Sequence, residues 1–111
     1  MTTIDKTKTI QKLNDAFRRT GEGGRILFTQ GVSSLGVAFS HQALALVQRF
    51  EDFTPDNDPH REHDFGSFTL HGHKLFWKID YYDQACEFGS EDPADPVRTT
   101  RVLTIMLASE Y

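Results

Sequence analysis

Between Gly66 and Tyr82 the chain sets two runs of strand-forming residues, Gly66 to Leu70 and Lys74 to Tyr82, on either side of His71, Gly72 and His73. A glycine between two such runs supplies the turn of a β-hairpin, because it adopts the backbone angles a tight reversal needs at no steric cost. In the second run Leu75, Trp77, Ile79 and Tyr81 alternate with Phe76, Lys78, Asp80 and Tyr82. Side chains on a strand point to opposite faces in turn, so the first set is predicted to be core. A sheet built around this hairpin is the centre from which the rest of the fold is read.

Helical spacing precedes it. From Thr7 or Thr9, either able to cap, Ile10, Leu13, Ala16 and Phe17 recur at three and four residues, and Gly21, Gly23 and Gly24 stop the run. Arg25 to Gln30 reads as a strand closed by Gly31. After a loop from Gly31 to Gly36, Phe39, Ala43, Leu44, Val47 and Phe50 mark a second helix with His41, Gln42, Gln48 and Arg49 on its polar face, and Pro55 keeps it from continuing far. Ala85 to Phe88 is a candidate edge strand. Asp95 and Pro96 are ordered as cap and first-turn proline of a last helix carrying Val102, Leu103, Met106 and Leu107. The expected fold is α+β: an antiparallel sheet of three to four strands with about three helices, in the order α-β-α-β-β-(β)-α. With 111 residues the chain fits one domain, 1–111, of which 1–8 are expected to be a flexible end.

The content of 38% hydrophobic residues, with nine Phe and one Trp, is enough for a core. No apolar run approaches the roughly 18 residues that span a bilayer, and the first residues lack the apolar stretch of a signal peptide. The expected compartment is the cytoplasm, with no membrane partner. The single cysteine, Cys86, has no internal disulfide partner, and Glu87 beside it disfavours a thiolate. No GxSxG elbow surrounds a serine, which sets nucleophilic catalysis aside.

The net charge of -4 is distributed unevenly. Residues 1–25 carry six Lys or Arg against three acids, whereas residues 51–96 carry twelve acids against Arg61, Lys74 and Lys78. The acids concentrate in two segments, Glu51 to Asp64 and Asp80 to Asp95. If these converge they form a negative surface that repels phosphate and attracts cations or basic protein. Direct nucleic-acid binding through Lys6, Lys8, Lys12, Arg18 and Arg19 is disfavoured by the pI near 5.6.

Asp56, Asp58, His63, Asp64 and Asp80 are oxygen or imidazole groups suited to a divalent cation, with Glu62 beside them. Bound Mg²⁺ or Mn²⁺ would activate water for phosphodiester hydrolysis. The spacing matches no complete metal motif. Arg61 stands where a calcium loop has its glycine, Ser67 stands where that loop has its glutamate, and HExxH is absent. The plainer reading of Asp56, Asn57 and Asp58 beside Pro55 and Pro59 is a turn held by side chains bonded to the backbone. His63 next to Asp64 reads either as an oriented base or as a loop histidine paired to a carboxylate. Lys78 and Asp80 share a strand face and suit an ion pair.

The runs Phe50 to Pro59, Glu62 to Gly66, Phe76 to Asp83, Phe88 to Ser90, Asp92 to Pro96 and Thr100 to Ala108 closely resemble a small bacterial family, domain of unknown function 3768. The resemblance extends from about Ile10 to Tyr111. It implies no activity. Its members resemble accessory genes of proteobacterial chromosomes and plasmids, which implies mobile-element biology, including counter-defence.

Two functions are expected from these residues. One is a non-enzymatic, cofactor-free protein that binds a host protein with a basic nucleic-acid-binding surface and inhibits a nucleic-acid-processing or defence complex in the manner of an anti-CRISPR. Its contacts would be Asp56, Asp58, Glu62, Asp64, Asp80, Asp83, Glu91 and Asp92. The alternative is a divalent-metal-dependent hydrolase or nuclease using the Asp56 to Asp64 loop with Asp80.

Overall fold

A computed structural model describes residues 3–111, with side chains from residue 6 onward. The elements are α1 (Thr3–Thr20), β1 (Gly24–Phe28), the single-turn α2 (Gln30–Ser33), α3 (Val37–Gln48), β2 (Phe65–Leu70), β3 (His73–Tyr82) and β4 (Thr100–Leu107), followed by a 3₁₀ turn, Ala108–Glu110. The helix α1 takes in residues 3–8, assigned from sequence to a flexible end, while residues 1 and 2 lie outside the described residues.

The expected hairpin is present, and His71 and Gly72 both have positive φ, 50° and 80°. A two-residue turn of this hand matches the twist of the strands it joins, and glycine takes one of the two unfavourable positions. The four strands form one sheet in the order β1-β4-β3-β2. The pairs β4-β3 and β3-β2 are antiparallel, but β1 runs parallel to β4, so the sheet is mixed where an antiparallel one was expected.

On one face Leu75, Trp77 and Ile79 of β3 and Leu103 and Ile105 of β4 meet Phe17 of α1 and Phe39, Ala43 and Val47 of α3. Complete burial of each large apolar side chain contributes about 1.5–3 kcal/mol, so this layer holds the helices on the sheet. The core stripe of α1 differs from the predicted one. Ile10 and Phe17 are buried, but so are Asn14 and Arg18, while Leu13 is half-buried and Ala16 exposed.

The C-terminal segment is the main correction. Val102, Leu103, Met106 and Leu107 lie on β4, where three- and four-residue spacing predicted a helix. As β4 is paired on both edges, Val102 and Met106 are buried among the side chains of neighbouring strands on one face, and Leu103 and Ile105 under the helices on the other. A strand buried on both faces reads as an unbroken apolar run, which periodicity alone does not separate from a helix. Asp95 caps a turn by accepting from the amide of Val97, 3.0 Å, and starts no helix. Residues 85–88 are also not a strand. They form a turn closed by the isolated bridge between Tyr82 and Gly89.

Candidate functional site

The loop from Glu51 to Asp64 is fixed by its own side chains. Asn57 Oδ1 accepts from the amide of Thr54 (2.9 Å), and Asn57 Nδ2 donates to the Asp52 carbonyl (2.8 Å). Asp58 turns inward, only 6% exposed, and its Oδ1 accepts from the amides of Glu62 (3.1 Å) and His63 (3.2 Å). Those bonds hold a backbone that has φ of 59° at Arg61 and 55° at His63, conformations that side-chain-bearing residues adopt at a cost. The turn reading of this segment is therefore realised at Asn57 and Asp58.

The loop closes on α1 and the core through His63. Its ring stacks on Phe53 at 3.8 Å and 3°, and Phe53 in turn meets Trp77 edge-on. Nδ1 of His63 lies 2.9 Å from Asp15 Oδ1, and Nε2 lies 3.6 Å from Asp58 Oδ2. Asp15 also accepts from Arg18, whose guanidinium donates to the Val47 carbonyl at the end of α3 (2.9 Å) and packs against Phe53 and Trp77. Burial lowers the Arg18 pKa, and the hydrogen bond to Asp15 partly opposes that shift.

A second set of bonds joins this loop to the other acidic segment. Asn14 Nδ2 donates to the Glu62 carbonyl (2.9 Å) and to Tyr81 Oη (2.8 Å), Tyr81 donates to the Glu62 carboxylate (2.7 Å), and Asn14 Oδ1 accepts from Arg101 Nε (2.7 Å). Arg101 donates onward to the Pro93 carbonyl. Burial pushes the Tyr81 hydroxyl well above its ordinary range and lowers Arg101. The two acidic segments thus share an anchor at Asn14. They run on opposite sides of the buried stripe of α1: Gln11 and Asp15 contact the first, and Lys6 lies 3.9 Å from Asp92 in the second.

The sequence-predicted residues separate into distinct places. Asp56 is exposed at the loop tip, Asp58 and His63 meet as described, and Glu62 is committed to Tyr81. Asp64 is half-buried, and desolvation first, then the charge of Glu62, raises its pKa. Asp80 is on the opposite face of the sheet, 3.0 Å from Lys78, so it does not join Asp58 and His63. Among the described residues no group of three or more His, Cys, Asp or Glu is arranged to hold a metal ion. Asp83 accepts from the amide of Glu87 (3.0 Å) and Asp92 from that of Ala94 (3.2 Å), while Glu91 pairs with Arg98 at the surface (2.9 Å).

Sequence reasoning missed Asn14, Asp15, Tyr81 and Arg101 as the polar centre of this region, and placed Arg18 on a basic surface where it is in fact buried. A signal existed for two of them. Asn14 and Arg18 stand four residues after Ile10 and Asn14, inside the helical stripe that reaches Phe17, so a polar side chain was due at the core. Beside the stacked ring of His63 lies a depression of about 330 Å³ bordered by Gln11, Phe53, Thr54, Pro59 and Arg61. Asp58 and His63 line the same depression; Nδ1 of His63 is bonded to Asp15, and Nε2 lies 3.6 Å from Asp58 Oδ2, beyond hydrogen-bond distance.

No helix among the described residues is long and apolar enough to cross a membrane. A family model described as protein of unknown function (DUF3768) matches residues 28–110. No curated protein and no solved structure matches the chain.

Proposed function

This chain belongs to the family of proteins of unknown function DUF3768, and we propose that it is a small, acidic, non-enzymatic interaction protein. Its carboxylate-rich loops would occupy a basic nucleic-acid-binding surface on a host protein and inhibit a nucleic-acid-processing or defence complex, as an anti-CRISPR does. The supporting observation is a division of labour among the acids. Asp58, Glu62, Asp83, Asp92 and Asp95 are spent on holding the loops, while Glu51, Asp52, Asp56, Glu87 and Glu91 are exposed. Loops fixed in this way lose little conformational freedom on binding. Exposed carboxylates on them steer a basic partner and gain specificity from charge. The residues of α1 between the loops include Lys8 and Lys12, both exposed, so the negative surface comes in two patches and the partner's basic groove would be divided to match.

The test is competition. Purified chain is added to a purified CRISPR effector complex and its DNA target, beside a variant with Asp56→Lys, Glu87→Lys and Glu91→Lys. The reading expects displacement of DNA by the native chain, weakened by salt and by the charge reversals. No effect on DNA binding by effector complexes, in vitro or in phage challenge of a host expressing the chain, overturns it. The metal-dependent hydrolase has no observation in its favour beyond the approach of Asp58 to His63. Calorimetric titration with Mg²⁺ and Mn²⁺ separates it from the first reading, since saturable binding removed by Asp58→Ala would restore it.

A further inference from the structure

The face of the sheet turned away from α1 and α3 is hollowed. Val102, Thr104 and Met106 of β4 form the floor, with Leu27 of β1 on one side and Lys78 of β3 on the other, both in register with Thr104. After β4 the chain turns back, so that the Tyr111 ring packs edge-on to Phe76 with centroids 5.3 Å apart and closes one end. The cavity measures about 680 Å³, within the range of small-molecule sites. Its floor runs about 13 Å along β4, four residues at the rise of a strand.

The polar groups on this lining divide into committed and free. Lys78 pairs with Asp80 at 3.0 Å, and Glu110 accepts from Thr29 and from the amides of Gly31 and Leu107. Arg25 is exposed and its side chain has no ion pair, hydrogen bond or ring contact among the described residues, and the half-buried Thr104 hydroxyl has no hydrogen bond among them. We propose that the cavity binds a small planar monocarboxylate, with its acid group on Arg25 and its apolar body along β4 towards Tyr111. The ends of the floor set this direction. Arg25 stands in register with Val102 at one end, whereas Glu110 is bonded beyond Met106 at the other, so the cation and the exposed carboxylate are separated by the length of the floor. A guanidinium takes a carboxylate through two parallel hydrogen bonds, and Thr104 offers a further polar contact midway. With Asp80 and Glu110 on the same lining, a doubly charged phosphate or a polyanion is a poorer match than a single carboxylate. This inference is independent of the acidic-loop reading, which rests on other carboxylates.

The experiment is a titration of the isotope-labelled full chain with β-naphthoate, followed through backbone amide shifts in two-dimensional NMR. Saturable shifts are expected at Leu27, Thr104 and Met106, with a dissociation constant below about 1 mM. Arg25→Gln, at an exposed position without side-chain contacts, is expected to weaken β-naphthoate at least about fivefold and to leave the neutral β-naphthamide unchanged. In the native chain β-naphthamide and β-naphthyl phosphate are both expected to bind more weakly than β-naphthoate. The absence of saturable shifts up to ~10 mM, undiminished β-naphthoate binding by Arg25→Gln, or equal or tighter binding of the amide or the phosphate overturns the proposal. Shifts at the same amides on concentrating the chain alone assign the face to a second copy and overturn it as well.

Discussion

Arg101 donates a 2.7 Å hydrogen bond from Nε to Oδ1 of Asn14, 87 residues earlier in the chain. Both side chains are buried, Asn14 completely and Arg101 to 3% exposure. The bond ties the first helix to the central strand, and each partner extends it to one acidic loop: Asn14 to the Glu62 carbonyl and Arg101 to the Pro93 carbonyl. Local structure, packing and the candidate surface therefore depend on the same pair.

Asn14→Ala removes one acceptor from a buried guanidinium and the donor serving Glu62 and Tyr81. Leaving a buried cation short of an acceptor costs more than the net value of the bond it loses. The expected loss of stability is about 2–4 kcal/mol, measured as a lower urea midpoint at unchanged m-value. A drop under ~1 kcal/mol would mean that water replaces Asn14 and that the network is not a keystone.

The sequence carried the sheet's hairpin and both long helices because each presents a single period to a single core face. It did not carry β4. Burial of apolar residues on both faces of that strand erased the alternation that made β3 legible, and the Asp95-Pro96 pair offered a helix start that the chain uses as a turn instead. The candidate site was half legible for a related reason. Asp58 and His63 drew notice through the density of polar residues around them, but Asp15, Tyr81 and Arg101 are distant in sequence, and only the packing of α1 against β3 and β4 assembles them. Asp80 was placed in the site through its position near the end of a strand, and strand alternation sends it to the other face with Lys78.

Asp58 and its two amides make a second, local prediction. In Asp58→Ala the amides of Glu62 and His63 lose their acceptor, and the left-handed conformations at Arg61 and His63 lose what holds them. Hydrogen exchange at those two amides should accelerate by about one to two orders of magnitude, corresponding to ~1.4–2.7 kcal/mol of local opening, with little change in the β3 and β4 amides. Asp58→Asn keeps an acceptor oxygen and should recover most of the protection. Equal acceleration in both variants would assign the effect to charge and not to the hydrogen bonds.

Gly66 is fixed by close approach. A Cβ built there falls on the Trp77 indole nitrogen and within 2.7 Å of the Phe50 ring, both in the packed layer under α3. Trp77 is fully buried, so Gly66→Ala should destabilise the fold by about 1–3 kcal/mol through overpacking. Near-ultraviolet circular dichroism of the single Trp77 should change with it. A neutral result would show that β2 shifts outward to make room.

Acid should act on the chain through two carboxylates of opposite sign. Glu110 accepts from Thr29 Oγ1 (2.6 Å) and from the amides of Leu107 and Gly31, and these bonds, the Thr29 one foremost, hold its pKa below the ordinary 4.5. A lowered folded value means that Glu110 contributes stability above the unfolded pKa and loses it as pH falls through the folded one. Asp64 is the reverse. Desolvation raises it above 3.8, so its contribution is complete below that value and is lost as pH rises through its higher folded pKa, leaving a strained carboxylate at neutral pH. Asp64→Asn should therefore raise the melting temperature at pH 7 and leave it nearly unchanged near pH 3. Glu110→Gln should lower the melting temperature at pH 7 and flatten its fall below pH 4.5. Melting curves of both variants from pH 3 to 7 decide it: parallel curves for Asp64→Asn and the native chain would show that burial does not burden Asp64, and an undiminished acid fall in Glu110→Gln would move the acid-labile contact elsewhere.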